Sequence, residues 1–125
     1  MESGKTTRQA IGRHAEQLAE HYLTQQGLRL LERNFRCRSG EIDLIMTDNE
    51  TVVFVEVRYR KHQSFGGAAA SVDQRKQRRL LLAAQHYLQR SNNMERLCRF
   101  DVVAISPATD GQNNVQWISN AIESS

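Results

Sequence analysis

Two apolar, β-branched runs separated by three polar residues most constrain this fold. EIDLIMT spans Glu41 to Thr47, TVVFVEVRY spans Thr51 to Tyr59, and only Asp48, Asn49 and Glu50 lie between them. Such a pair predicts an antiparallel hairpin. Strands this apolar need cover on both faces, and the flanking sequence offers two amphipathic helices to provide it. The first helix is read from Ile11, Ala15, Leu18, Ala19, Tyr22 and Leu23, the spacing of one helical face, with Gly27 placed for its C-terminal cap. The second is expected to open at a capping box, Ser71 and Gln74, and to run to about Arg90.

Further strands are expected at Leu28 to Phe35, at Arg99 to Ile105 and, as a short fifth, at Val115 to Ile118. The order is α-β-β-β-α-β with an added strand. The expected fold class is α/β, a mixed central sheet with a helix on each face. Residues 1–10 read as a flexible tail, 11–120 as one domain and 121–125 as a C-terminal tail.

Composition excludes several classes. With 39% hydrophobic and 25% charged residues the chain is too apolar for a disordered one. Its longest apolar run, Leu80 to Ala84, is far below the roughly 20 residues of a membrane span. No apolar stretch near the start resembles a secretory signal, and Cys37 and Cys98 form no disulfide framework. A cytoplasmic location is the expectation. No repeat or linker composition appears.

The charge is uneven. From Val57 to Arg79 seven basic residues, Arg58, Arg60, Lys61, Arg75, Lys76, Arg78 and Arg79, face one acid, Asp73. A smaller basic group, Arg29, Arg33, Arg36 and Arg38, surrounds Glu32. Concentrated positive charge is the footprint of a polyphosphate partner, although long basic side chains also simply solvate a helix face.

The hairpin holds the most informative chemistry. A two-residue turn at Asn49-Glu50 sets Asp43 opposite Glu56 and Glu41 opposite Arg58, with facing Cβ atoms roughly 4.5–5.5 Å apart. Asp43 sits among Ile42, Leu44 and Ile45, and Glu56 among Val52 to Val55 and Val57. Two carboxylates buried that close must be protonated, separated or bridged by a cation. A one-residue slip would send them to opposite faces, where each would be a solvated strand-end acid. Hard divalent cations such as Mg²⁺ use this kind of oxygen pair.

Asp43, twelve residues, then Glu56-Val57-Arg58 resembles the PD-(D/E)xK signature of restriction-endonuclease-like nucleases. The wider pattern resembles one branch, the YraN family. It is carried by Gly12, Ala15-Glu16, Ala19 and Tyr22-Leu23; by Asn34-Phe35-Arg36 and Gly40-Glu41-Ile42-Asp43-Leu44-Ile45; and by Val53-Phe54-Val55-Glu56-Val57-Arg58 with Arg60. Lys76, Leu80, Ala84, Tyr87-Leu88 and Arg99-Phe100-Asp101-Val102-Val103 complete it. The resemblance implies the αβββαβ core of that superfamily and metal-dependent phosphodiester hydrolysis on nucleic acid, most simply DNA and in that case branched or damaged DNA.

It further implies that Asp43, Glu56 and the Val57 carbonyl hold Mg²⁺ or Mn²⁺, with Glu16 as an accessory acid. Arg58, Arg60, Lys61, Arg75, Lys76 and Arg79 become the nucleic-acid-binding set. One departure matters: the motif lysine is replaced by Arg58, which binds phosphate but cannot act as a base. Either Arg58 suffices, or another lysine substitutes, or the chain is a weakly active or non-catalytic binding module. Lys76 is the best substitute, because helical geometry places it within the second helix's apolar stripe near its start. Cutting both strands would suit a homodimer, but no residue demands one. His14, His21, His62 and His86 show no zinc-type spacing, and Trp117 reads as core packing.

Overall fold

A computed structural model describes residues 8–59, 73–92, 95–107 and 113–122. The described elements are α1 (Arg8–Gln25), β1 (Arg29–Cys37), β2 (Gly40–Asp48), β3 (Thr51–Tyr59), α2 (Gln74–Arg90), β4 (Cys98–Pro107) and β5 (Asn113–Ile122). The strands form one mixed sheet in the order β1-β2-β3-β4-β5, antiparallel except for the parallel β3–β4 pair that α2 connects. The α/β class and the αβββαβ order follow as expected.

Each sheet face has its own core. On one side Ala15, Ala19 and Leu23 of α1 pack with Leu44, Met46, Val53, Val55, Val103 and Ile105. On the other, Leu80, Ala83, Ala84, Tyr87 and Leu88 of α2 pack with Phe35, Ile42, Ile45, Phe54, Phe100 and Val102. The helical stripes read from spacing are therefore the packing faces, although Val72 lies outside the described residues. No described helix is long and apolar enough to cross a membrane.

Gly27, at φ 104°, ends α1 as its position suggested. Its N–H donates to the Thr24 carbonyl, and the Leu28 N–H donates to the Leu23 carbonyl. Leu23 and Leu28 are both buried, which closes a Schellman cap with its hydrophobic contact.

Three expectations are corrected. The N-cap of α2 is Asp73, whose carboxylate accepts the Lys76 N–H at 2.8 Å, so Gln74 is the first helical residue rather than the third position of a capping box. A short, charged acceptor immediately before the helix outcompetes the Ser71 alternative. β1 continues past Phe35 to Cys37, because the β1–β2 hairpin stays paired down to Cys37 and Gly40. β5 is ten residues long rather than four, since pairing with β4 recruits polar Asn113 and Asn114, and the strand runs on through Ser119 and Asn120, none of which carries a strand signal of its own.

Candidate metal-binding site on the central hairpin

The β2–β3 register is the one expected: Asp48 pairs with Thr51, Met46 with Val53 and Leu44 with Val55. A two-residue turn is feasible there because Asn49 takes φ 57°, a conformation asparagine tolerates better than most residues. Pairing then stops, one step before Asp43 and Glu56 would face each other.

The reason lies in the pleat. Ile42 and Ile45 both face α2, whereas Leu44 and Met46 face α1, so strict alternation breaks at Asp43. The neighbouring strand breaks at the same level. Arg33 and Asn34 both reach α1, through Glu20 and Glu16, while Phe35 faces α2, and Asn34 holds φ 50°. Paired positions Arg33–Leu44 and Phe35–Ile42 flank this Asn34/Asp43 irregularity.

Released from the pleat, the Asp43 carboxylate turns into the opening between β2 and β3. There its Oδ2 accepts the Val57 N–H at 2.8 Å, replacing the missing ladder bond. The Val52 N–H donates toward β4, to the Leu97 carbonyl. Alternation along the regularly paired β3 therefore points the odd-numbered N–H and C=O groups toward β2. The Val57 carbonyl thus faces the same opening as the Asp43 carboxylate.

Glu56 is 3% exposed and, like Val52 and Phe54, faces α2. Its Oε2 lies 3.2 Å from Lys76 Nζ and 3.6 Å from Arg58 Nη1. Among the described residues Asp43 has no comparable cation contact. Its pKa is pushed up to about 8, first by burial and then by the charge of Glu56, against the opposing Val57 hydrogen bond; Glu16 and Glu41 push it further. Asn34 Nδ2 spans the last two acids, 3.0 Å from Glu16 Oε1 and 3.5 Å from Glu41 Oε2.

The fold thus assembles Asp43, Glu56, Val57, Arg58 and Lys76, with Glu16 near enough to act on Asp43 electrostatically. Glu41 departs from expectation: because β2 and β3 part before it, it pairs across the other ladder with Arg36, at 3.6 Å, and Arg58 turns to Glu56 instead. Arg75 and Arg79 are exposed on the first turns of α2, and Arg60 and Lys61 lie outside the described residues. His14, His21 and His86 are exposed.

Asn34 was missed as a site residue in its own right. Its signal was an asparagine interrupting a strand, among non-glycine residues one of the types most able to adopt positive φ. The first turn of α2 also carries Lys76 and no acid, against the helix dipole. A local rule broken beside buried carboxylates marks a residue placed for its tertiary partner.

Among the described residues no three His, Cys, Asp or Glu side chains converge as a metal cluster. The donor set is instead two carboxylates and one carbonyl, all hard oxygens. That set matches Mg²⁺ or Mn²⁺, which complete their shells with waters and substrate phosphate, and it does not match zinc. Burial and Glu56 disfavour the ionised form of Asp43, and such a cation would stabilise it.

Residues 15–105 match the model of uncharacterised protein family UPF0102. Among its relatives, the UPF0102 protein of Alcanivorax borkumensis is 59% identical over 90% of this chain and 91% of its own. That of Stutzerimonas stutzeri is 56% identical over 93% and 97%, respectively. Among solved structures, Pyrococcus furiosus SfsA in complex with Ca²⁺ overlays 90% of this chain and 64% of its own at 12% identity and a TM-score of 0.40, too loose a likeness to argue from.

Proposed function

Because the chain belongs to uncharacterised protein family UPF0102, whose name carries no activity, we propose from its site that it is a metal-dependent endonuclease hydrolysing phosphodiester bonds in DNA. One observation carries the reading: the Asp43 carboxylate turns into an opening of the sheet within electrostatic reach of Glu56, while a lysine from another element, Lys76, reaches Glu56 at 3.2 Å.

Asp43, Glu56 and the Val57 carbonyl would hold Mg²⁺ or Mn²⁺, which supplies a water of lowered pKa and offsets charge on the phosphate. Lys76 would orient that water or take its proton, a role its 3.2 Å contact with Glu56 supports. With Lys76 in that role, Arg58 need only bind the phosphate and stabilise the charge that develops on it. Val57 N–H fixes Asp43, and Asn34 holds Glu16 and Glu41 beside it. Branched and damaged DNA are the substrates to try first.

The second reading is a nucleic-acid-binding module with little or no turnover, favoured by the arginine at position 58. Labelled linear, flapped and four-way-junction DNA incubated with Mg²⁺ or Mn²⁺ separates the two. Cleavage by wild type, lost in Asp43→Ala and Glu56→Ala, is the expected result. Binding without cleavage under every metal selects the module.

A further inference from the structure

The β1–β2 hairpin and the start of α2 enclose a groove of about 530 Å³ beside the carboxylates. Arg36, Cys37, Gly40 and Glu41 line it from the hairpin, and Lys76 and Arg79 from the helix. Lys76 belongs to both the groove and the site, so the two are continuous.

The walls are held in close register. A Cβ at Gly40 would come within 3.3 Å of both the Cβ and the carbonyl oxygen of Arg79, closer than side-chain contacts ordinarily allow. Glycine there lets the hairpin lie directly against the helix. Lys76 and Arg79 stand one turn apart on the helix wall, as i and i+3 neighbours. Arg36 lines the groove from the hairpin, its guanidinium largely exposed and, among the described residues, paired with Glu41 at 3.6 Å. An exposed ion pair of this kind is weak and can be exchanged for phosphate.

We propose that this groove carries the sugar–phosphate backbone of the substrate strand away from the cleavage position, with Arg36 and Arg79 contacting its phosphates. The inference rests on the nuclease reading and extends it. It adds a hairpin residue, Arg36, to the interface and fixes the path of the strand between β1–β2 and α2. Arg36 exchanges Glu41 for a phosphate as the strand enters, and Cys37 becomes covered.

The test measures affinity of the full chain for a labelled single-stranded oligonucleotide as salt is varied, with Ca²⁺ replacing Mg²⁺ and again in EDTA. Arg36→Gln and Arg79→Gln are compared with Arg29→Gln, an equal loss of charge on the exposed start of β1. Each groove variant should reduce the salt slope by about 0.7, so that between 50 and 200 mM salt it loses roughly two- to threefold less affinity than wild type. Arg29→Gln should keep the wild-type slope.

In a Cys98→Ser background, saturating oligonucleotide should also slow alkylation of Cys37 several-fold, a readout that stands even where an arginine variant fails to fold. Wild type that binds no oligonucleotide in either condition overturns the nuclease reading and the groove together. Wild-type binding with groove variants matching Arg29→Gln, or with Cys37 unprotected, overturns the groove alone.

Discussion

Val57 donates its backbone N–H to Asp43 Oδ2 at 2.8 Å, at the point where β2 and β3 cease to pair. A side chain has taken the place of a ladder acceptor, which brings a carboxylate into the plane of the sheet. Burial and the neighbouring Glu56 then make its charge costly, and a cation becomes the natural complement.

Without metal, stability should fall as pH rises from about 4 toward 8. Asp43 has a folded pKa of about 8 against an unfolded value near 3.9, so over this window the folded chain binds more protons than the unfolded one. The penalty is absent below the unfolded pKa and complete above the folded one. Asp43→Asn keeps an acceptor for Val57 and removes the titration. Denaturant unfolding across this range should show the variant gaining on wild type with pH, by less than about 1.4 kcal/mol per unit.

Mg²⁺ should stabilise the wild-type chain and displace a proton from Asp43 near pH 7. Calorimetry in two buffers of different ionisation enthalpy reads the proton, and a thermal melt reads the stabilisation. Both signals should vanish in Asp43→Asn, and chelation by EDTA should end cleavage. Equal heats in the two buffers would count against the linkage.

Lys76→Met should lower the cleavage rate by about 10²-fold or more while leaving KM little changed, if the lysine handles the water rather than the strand. Arg58→Lys should give no comparable gain, since the lysine function is already supplied by α2. A large increase in that variant would return the role to position 58.

Away from the site, Asp101→Ala should destabilise the chain by about 1–3 kcal/mol, the cost of leaving the donors it serves without an acceptor, while Arg99 keeps its pair with Asp48. Asp101 is fully buried and accepts from Arg99 Nε at 3.1 Å, Trp117 Nε1 at 2.9 Å and the Asn120 N–H at 2.8 Å. The last bond fastens the irregular β4–β5 pairing near Phe100 and Val102, where Asn120 takes φ 57°. Urea unfolding measures the loss, and Mg²⁺ affinity at subsaturating urea should be unchanged.

Period-two and period-3.6 patterning made the two core faces, the helix stripes and the β2–β3 register readable from residues alone, because burial enforces each of them locally. The Asp43/Glu56 pair was readable for the same reason: a charge inside an apolar strand has few explanations. Helical spacing even placed Lys76 at the buried edge of α2.

What residue order could not supply was the end of the ladder. Adjacent breaks of pleat at Asn34 and Asp43, on two different strands, turn one acid into the sheet plane and hand Glu41 to Arg36. The role of Trp117 as a donor to Asp101 was equally hidden, since a tryptophan in a strand signals packing before hydrogen bonding. Such relations join residues many positions apart whose local preferences do not mention one another, so only the assembled sheet decides them.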